Sequence, residues 1–531
     1  MENTGRKRRV QPVWIYSIIV SLGGFIFGYD ASVVSGAIGK ISIDFSLSPI
    51  QQGLVVGAPT FGAILSTTVA GYIADTIGRR TTLMGIALIY FVSALFSAMA
   101  PNYEVLVLAR FIGGLAFCSL MLAPLYIAEI SPAKKRGVLV SVNQLNIVLG
   151  FSAAYFSNFY INRLANADFQ WVDSLAISTE TWRWMFGVEI VPALLYFLLL
   201  FTIPKSPRWL IVNKRLDEAH IAIGRLHPAL SQHEISAHIQ QVRSQSDTIV
   251  PPLKERLREI VGPYMRRALI IGLIVGIAQQ ATGVNAVYFY APSIFEQSGS
   301  GTDGALAQAI WVGIINVIFT VVAMLMIDKL GRKPILILGL AGVVLSMSLC
   351  AYGYKQATYT LDESDLTVLQ ADIDVAQLKP YVGTTFTNDV AFKRAMTDAL
   401  GERGFQQHQS TLIQLAVHLN ATLILTGILG FVASFAFSLG PVMWVMFSEI
   451  FPNHIRGLAI SFVGVINSVV SFIVQVSFPW ELANLGSSVV FSIYAMLGLI
   501  GLVLVIWRVP ETKGKTLEEL EQFLTHSTGR N

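Results

Sequence analysis

The sequence predicts an all-α membrane protein whose twelve transmembrane helices form two related bundles of six. Three observations support this fold class. Charged residues make up 13% of the 531 residues and hydrophobic residues 53%, whereas soluble domains carry about 25% charged residues. The chain contains twelve apolar runs of about 20 residues, the length that crosses a bilayer as a helix. Two short motifs, finally, occur once in each half of the chain.

Six apolar runs precede the middle of the chain and six follow it. The first run follows the basic residues Arg6, Lys7, Arg8 and Arg9. Its length of about 25 residues exceeds the core of a signal peptide, so we count it as a membrane helix. The predicted spans are 13–37, 50–74, 81–100, 104–128, 137–160 and 184–203, and then 267–296, 306–328, 334–356, 416–447, 457–480 and 486–508.

Basic residues indicate the orientation, because cytoplasmic loops carry an excess of lysine and arginine. They follow the second span at Arg79 and Arg80, the fourth at 134–136 and the eighth at 329–333, whereas the loop 101–104 has none. An even number of spans places both termini on one side. We therefore expect both termini in the cytoplasm and the chain in a plasma (inner) membrane.

Polar segments divide the chain into bundles and connections. The predicted parts are a basic cytoplasmic N-terminus at 1–12, an N-terminal six-helix bundle at 13–203, a cytoplasmic helical linker at 204–266, a C-terminal bundle at 267–508 that contains an outer loop at about 357–410, and a cytoplasmic tail at 509–531. The linker contains an amphipathic stretch at 217–226 that predicts a helix.

The two repeated motifs relate the halves to each other. The pattern E-I-x-P-x-x-x-R-G occurs at 129–137 and again at 449–457, and D-x-x-G-R-R/K occurs at 75–80 and again at 328–333. A duplicated six-helix unit is typical of transporters whose halves rock about a binding site at their interface.

The stretch 279–292 is the first candidate for a binding site, because Gln279, Gln280 and Asn285 lie in an apolar run. Burying an amide without a partner costs roughly 2–7 kcal/mol. On a straight helix Gln279 and Asn285 would point about 120° apart. Gly283 permits a break that lets them converge, and Pro292 interrupts the helix again. The residues alone leave two interpretations open, a midplane binding site and amides that join helices.

Ionisable residues inside the predicted spans are candidates for ion coupling. Asp30 lies in the first span, Arg110 in the fourth is its natural cationic partner, and Glu189 in the sixth is a second acid. A carboxyl whose surroundings alternate can take up a proton on one side and release it on the other. A structural Asp30–Arg110 pair that never changes protonation is the alternative.

The charged residues of the repeated motifs predict a cytoplasmic gate. Opposite charges there can tie one helix end to another when that side is closed and separate when it opens. Solvated charges that only set the topology are the alternative. The predicted gate residues are Asp75, Arg79, Arg80, Glu129, Arg136, Asp328, Arg332, Glu449 and Arg456.

Three signatures in this order resemble those of the sugar porter family of the major facilitator superfamily, over nearly the whole chain. They read Gly71-Tyr72-Ile73-Ala74-Asp75-Thr76-Ile77-Gly78-Arg79-Arg80, Pro204-Lys205-Ser206-Pro207-Arg208-Trp209-Leu210 and Pro510-Glu511-Thr512-Lys513-Gly514. Lys205 stands where the family usually has glutamate. The resemblance implies the major facilitator fold, alternating access and a monosaccharide substrate.

The resemblance also implies a sugar site of amides and aromatic rings. Amides donate and accept hydrogen bonds as hydroxyls do, and an indole offers a flat apolar face. The implied residues are Phe27, Gln144, Gln279, Gln280, Asn285, Asn316 and Trp444. Phe289 stands where the family often has tyrosine, and Asn467 and Ser468 where relatives often have glutamine and tryptophan. These departures leave the identity of the sugar open.

Asp30 matches the aspartate of proton-coupled family members, whereas passive carriers commonly have asparagine. The resemblance therefore implies sugar:proton symport through Asp30, Arg110 and Glu189. A passive uniporter is the first alternative, and a sugar sensor is the second. The 23 residues after Arg508 argue against a sensor, since sensors usually append long tails.

The sequence has no metal-ligand spacing, nucleophile motif or phosphate-binding loop, so we expect neither an enzyme nor a cofactor. The expected partners are a monosaccharide, a proton and the lipid bilayer, with no nucleic acid and a functional monomer.

Overall fold

A computed structural model describes residues 12–132, 135–228, 230–246, 258–260, 262–263, 265–370, 373, 375–452, 455–515 and 519–520. The predicted basic cluster Arg6 to Arg9, Lys134, most of the C-terminal tail and the side chain of Arg136 lie outside this description. Within it, twelve helices are long and apolar enough to cross a membrane, and the predicted class is confirmed. They are α1 Pro12–Asp44, α2 Pro49–Ile77, α3 Arg79–Ala98, α4 Tyr103–Ile130, α5 Gly137–Ala165, α6 Thr181–Leu199, α7 Arg266–Glu296, α8 Gly301–Leu330, α9 Arg332–Lys355, α10 Ala421–Ile450, α11 Arg456–Asn484 and α12 Ser487–Arg508.

The segment between α9 and α10, which we call the cap (residues 357–420), is a folded unit and not a plain loop. Strands β1 Thr358–Tyr359 and β2 Val417–His418 pair antiparallel at its base. Its helices are Glu363–Leu369 and Asp389–Ala416, the second kinked at Gly401, with short 3-10 turns at Val375–Gln377 and Lys379–Tyr381.

The predicted start of the tenth span at 416 is wrong, because the helix begins at Ala421. Ala416 belongs to the buried core of the cap, and Val417 and Leu419 pack against that core. Asn420 then starts α10 by accepting a hydrogen bond from the backbone N–H of Leu423 at 3.1 Å. The apolar residues just before α10 resemble membrane-embedded sequence, although they pack in the cap.

The two bundles meet closely near the end of the molecule that carries the cap, which we call the capped end. A Cβ on Gly53 of α2 would lie 2.3 Å from the carbonyl oxygen of Val476 on α11, so the two backbones are nearly in contact. Tyr155 of α5 donates a hydrogen bond to the carbonyl oxygen of Tyr288 on α7 at 2.6 Å. Small residues allow this approach, as in other membrane helix pairs.

The opposite end, which we call the motif end because it carries both motif copies, is open. Among the residues that the structure describes, a Cβ on Gly137 at the start of α5 or on Gly457 at the start of α11 would meet nothing within 4 Å. Val138 is 60% exposed. The molecule is therefore closed at the capped end and open at the motif end.

The linker between the bundles contains helices Pro207–Val212, Leu216–Leu226 and Gln232–Ser246. The second is the predicted amphipathic helix. Trp209, Ile223 and Ile235 bring the three helices together in one small apolar core. Trp209 donates a hydrogen bond to the carbonyl oxygen of Asp75 at 2.8 Å and ties the linker to the first bundle.

The cap is attached to both bundles. Gln406 donates a hydrogen bond to the carbonyl oxygen of Leu47 at 3.4 Å, between α1 and α2. Asp389 accepts hydrogen bonds from the backbone N–H and the hydroxyl of Ser487 at 3.1 and 2.9 Å, at the start of α12. It also lies 3.2 Å from the ammonium group of Lys393.

We predict that Asp389→Asn loosens the cap. Burial alone would raise the pKa of Asp389, but Lys393 and Ser487 more than offset it and hold this pKa below its usual value of 3.8. A lowered carboxyl pKa stabilises the fold above the unfolded pKa, so the contribution is complete at neutral pH and is lost only in strong acid. Losing charge-assisted hydrogen bonds should cost about 1.5–3 kcal/mol.

Hydrogen–deuterium exchange of cap peptides at pH 7 measures this effect. Asp398→Asn, on an exposed position of the same helix, is the matched control. Equal exchange of the two variants would show that Asp389 does not anchor the cap.

Candidate functional site

The predicted break in α7 is present and brings the amides together. The first part of α7 ends at Ala281, Gly283 adopts a left-handed backbone with φ of +84°, and the second part begins at Val284. Asn285 then donates a hydrogen bond to the side-chain oxygen of Gln280 at 2.8 Å. A Cβ on Gly283 would lie 2.9 Å from the ring of Tyr494, so both the backbone and the space require glycine.

Helix α11 supplies the partners that complete this amide cluster. Asn467 donates hydrogen bonds to the side-chain oxygen of Gln279 at 2.9 Å and to the carbonyl oxygen of Gly276 at 2.7 Å. It also accepts one from Gln280 at 3.2 Å. Ser471 accepts a hydrogen bond from Asn285 at 2.5 Å. The amides of α7 are thus held by side chains of α11.

Sequence reasoning noted Asn467 only as a departure from the family pattern, and it missed Ser471 and Gln475. These three buried residues of α11 lie four positions apart. Residues four apart share one face of a helix, so a polar stripe in an apolar span was the signal that could have revealed them.

Two other predicted sugar-site residues, Asn316 and Phe27, are connected to each other through aromatic side chains. Asn316 is buried and accepts a hydrogen bond from the hydroxyl of Tyr288 at 3.2 Å. The ring of Tyr288 lies 5.3 Å from that of Phe151, which in turn lies 6.4 Å from Phe27. Phe27 and Asn316, from opposite bundles, are therefore linked through two aromatic rings.

Gln144 and Trp444 are not joined to the amide cluster by any hydrogen bond or ring contact that the structure describes. Trp444 is 48% exposed and its ring packs 6.0 Å from that of Phe447. Gln144 is half-buried. Among the described residues, the amide of Gln144, the side-chain oxygen of Asn285 and the side-chain nitrogen of Asn316 have no hydrogen-bond partner, so these groups can receive a polar ligand.

The three predicted coupling residues lie together inside the first bundle. Arg110 donates hydrogen bonds to the carboxylate of Asp30 and, at 3.2 Å, to its carbonyl oxygen. Both residues and Glu189 are at most 3% exposed. Arg110 also lies 5.3 Å from the ring centre of Phe186. Glu189 is within electrostatic reach of both Asp30 and Arg110.

The group formed by Asp30, Arg110 and Glu189 contains buried polar atoms that lack hydrogen-bond partners. One oxygen of Asp30, Nε of Arg110 and one oxygen of Glu189 have no hydrogen-bond partner among the described residues. With both acids ionised, two negative charges would face a single positive charge. An uncompensated buried charge is costly, and a proton on either acid would remove it.

The motif residues form two matching clusters at the motif end. In the first bundle Arg79 lies 3.1 Å from Glu129 and 2.7 Å from Asp75. In the second bundle Arg332 lies 2.7 Å from Glu449 and 3.2 Å from Asp328. The repeated sequence therefore produces a repeated ion-pair geometry.

Two further gate residues bond to backbone. Arg80 donates to the carbonyl oxygens of Leu200 and Phe201 at 3.3 and 2.8 Å, and Arg456 donates to that of Phe451 at 3.0 Å. These contacts and both ion-pair clusters lie within single bundles, and they are intact while the motif end is open. A latch that holds this end closed requires additional contacts between the bundles, so the gate stays a prediction.

Comparisons with known proteins agree with this architecture. A family model described as "Sugar (and other) transporter" matches residues 16–368 and 408–524. The chain is 32% identical to the D-xylose-proton symporter of Escherichia coli (strain K12), and 31% identical to the arabinose-proton symporter of Bacillus subtilis (strain 168). Each alignment covers 96% of this chain and 95% of the relative.

A solved structure of the xylose transporter XylE from E. coli in an inward open conformation superposes with a TM-score of 0.72 at 29% identity, over 96% of this chain and 99% of that one. This chain belongs to the sugar (and other) transporter family. The predicted resemblance to sugar porters, the major facilitator fold and a transporter rather than an enzyme are confirmed.

Proposed function

We propose that this protein imports a monosaccharide, a pentose or a hexose, together with a proton by alternating access. The convergence of Gln280 and Asn285 across the break at Gly283, where the two bundles meet, is the observation that carries the proposal. The similarity to an arabinose-proton and a D-xylose-proton symporter supports both the sugar and the proton.

A sugar would bind by replacing hydrogen bonds that the amides now make with each other. Gln280 and Asn285 each offer donors and an acceptor, and the free groups of Gln144 and Asn316 would add contacts from both bundles. The half-exposed ring of Trp444 can pack against apolar C–H groups of a sugar ring. Because each side-chain amide exchanges one hydrogen bond for another, the net change in free energy is small and the sugar can bind reversibly.

Proton coupling would use Asp30, Arg110 and Glu189. When one acid takes up a proton, the carboxylate that remains balances the single guanidinium, and release of the proton leaves an uncompensated negative charge that favours a rearranged site. One charge moving across about 100 mV supplies roughly 2.3 kcal/mol, which is enough for about 50-fold accumulation of a neutral sugar.

The structure would then be the inward-facing state in a plasma (inner) membrane. The basic residues that flank the motif end argue that this end faces the cytoplasm, with both termini. The match to an inward open conformation of XylE supports the same assignment. The amide cluster and the coupling residues all lie in one chain, so a monomer suffices for transport.

Purified protein in liposomes with an internal pH dye tests the function. We expect one of D-xylose, arabinose, glucose, galactose or fructose to enter and to acidify the lumen, because the proton moves with the sugar. Sugar entry without a pH change would identify a passive uniporter, and no entry of any sugar would refute the proposal.

Gln280→Ala should strongly weaken sugar binding while the protein stays folded, because it removes an amide that would bond to the sugar and leaves Asn285 and Asn467 without their shared partner. An unpaired buried polar group costs about 1–3 kcal/mol, equivalent to roughly a 5- to 150-fold loss of affinity. Calorimetric titration measures the loss. Gln308→Ala on α8, whose amide bonds to Ser300 and not to the cluster, is the matched control and should bind normally.

Asp30→Asn should retain exchange of labelled sugar across the membrane but lose accumulation against a gradient. Asparagine preserves the shape and can still bond to Arg110, but it cannot carry a proton. Counterflow and proton-driven uptake in the same liposomes separate the two activities. Uphill uptake by this variant would exclude Asp30 as the proton carrier.

A further inference from the structure

The polar stripe on α11 continues beyond the amide cluster toward the capped end. Asn467, Ser471 and Gln475 are buried, and Gln475 is only 1% exposed. A buried amide needs partners on both its donor and its acceptor side. The hydrogen-bond partners of Gln475 therefore indicate its role.

Gln475 bonds to the amide cluster on one side and to the other bundle on the other side. Its nitrogen donates to the hydroxyl oxygen of Ser471 at 2.7 Å, and the same oxygen accepts from Asn285. Its oxygen accepts from the hydroxyl of Thr60 on α2 at 2.9 Å. A continuous chain of hydrogen bonds therefore runs from Gln280 through Asn285, Ser471 and Gln475 to the first bundle.

Thr60 lies on the face of α2 that closes the capped end. Gly53, Gly57 and Thr60 have the i, i+4, i+7 spacing of one helix face. A Cβ on Gly57 would lie 2.8 Å from the side chain of Val476, next to Gln475 in the chain. Separating α2 from α11 to open this end must therefore break the bond between Thr60 and Gln475.

We propose that Gln475 is a positioning residue that couples occupancy of the amide cluster to closure of the capped end. The inference rests on the proposed function, because it takes the cluster as the sugar site. A sugar hydroxyl that draws Asn285 away from Ser471 leaves the Ser471 oxygen to Gln475 alone. Gln475 is then held more firmly in the orientation that receives Thr60, so the sugar favours closure.

Coupling of this kind is reciprocal. If the sugar favours the closed capped end, closure must raise the affinity for the sugar by the same factor. A residue that only holds two helices together would stabilise the contact equally with and without sugar. The dependence on sugar therefore separates the two roles.

The test variant is Thr60→Val, which keeps the shape of the side chain and removes the hydroxyl. It leaves the bonds of Ser471 and Asn285 in place. Thr60→Ser retains the donor and should behave like the unaltered protein. Thr67→Val is the matched control, because the hydrogen bonds described for the Thr67 hydroxyl stay within α2, to the carbonyl oxygens of Ala63 and Ile64. Gln475→Asn, which shortens the amide, is a second variant that should act like Thr60→Val.

Two quantities are measured with D-xylose and arabinose as probes. These are the sugar affinity and the sugar-induced change in hydrogen–deuterium exchange of peptides 53–61 and 471–479. Losing one hydrogen bond from the chain should weaken sugar binding roughly threefold to tenfold. Thr60→Val and Gln475→Asn should also lose the sugar-induced protection of both peptides, which Thr60→Ser and Thr67→Val should keep.

The proposal is overturned if Thr60→Val keeps that protection and binds sugar as tightly as Thr67→Val. Faster exchange that is equal with and without sugar would also overturn it, because it would show that Gln475 only holds the helices together. For each variant, the sugar affinity and the sugar-induced change in exchange are compared with those of the unaltered protein. If the unaltered protein binds no sugar, the proposed function fails. If it binds sugar but the variants do not differ as expected, only the role of Gln475 is refuted.

Discussion

The break in α7 at Gly283 is the constraint on which the rest of the site depends. Without it, Gln279 and Asn285 would point about 120° apart on a straight helix, and each amide would need its own partner in an apolar span. With it, Asn285 bonds to Gln280, and Asn467 and Ser471 of α11 supply partners for most of the amide groups. Buried polar groups are tolerated when they are satisfied, so one left-handed glycine makes an amide cluster possible inside a membrane protein.

The residues proposed for proton coupling and the amide cluster proposed for sugar binding lie in different bundles. Asp30, Arg110 and Glu189 lie within the first bundle, whereas the amide cluster is built on α7 and α11 of the second. Any coupling between proton and sugar must therefore cross the interface between the bundles. The described interface includes polar links at Thr60–Gln475, Tyr155–Tyr288 and Asn162–Asp303, and an aromatic link at Phe151. All of them lie where the bundles are in close contact.

The cap lies largely outside the part of the chain that the family model matches. The family model leaves residues 369–407 unmatched, and these residues make up most of the cap. The cap nevertheless has its own core and bonds to Leu47 of the first bundle and to Ser487 of the second. Because it bridges both bundles at the closed end, its attachment has to adjust whenever that end opens.

The sequence by itself determined the class, the twelve spans, the duplication and most of the residues of the candidate site. Each follows from local information, namely hydropathy, helix-breaking glycine and repeated motifs. The start of α10 was misplaced because an apolar run packed in the cap looks the same as one in lipid. Only the tertiary structure decided that Asn467 and Ser471 partner the amides of α7, that Glu129 and Glu449 pair with arginines of their own bundle, and which end is open. These features join residues 50 to more than 400 positions apart, and no local pattern specifies which distant groups will meet.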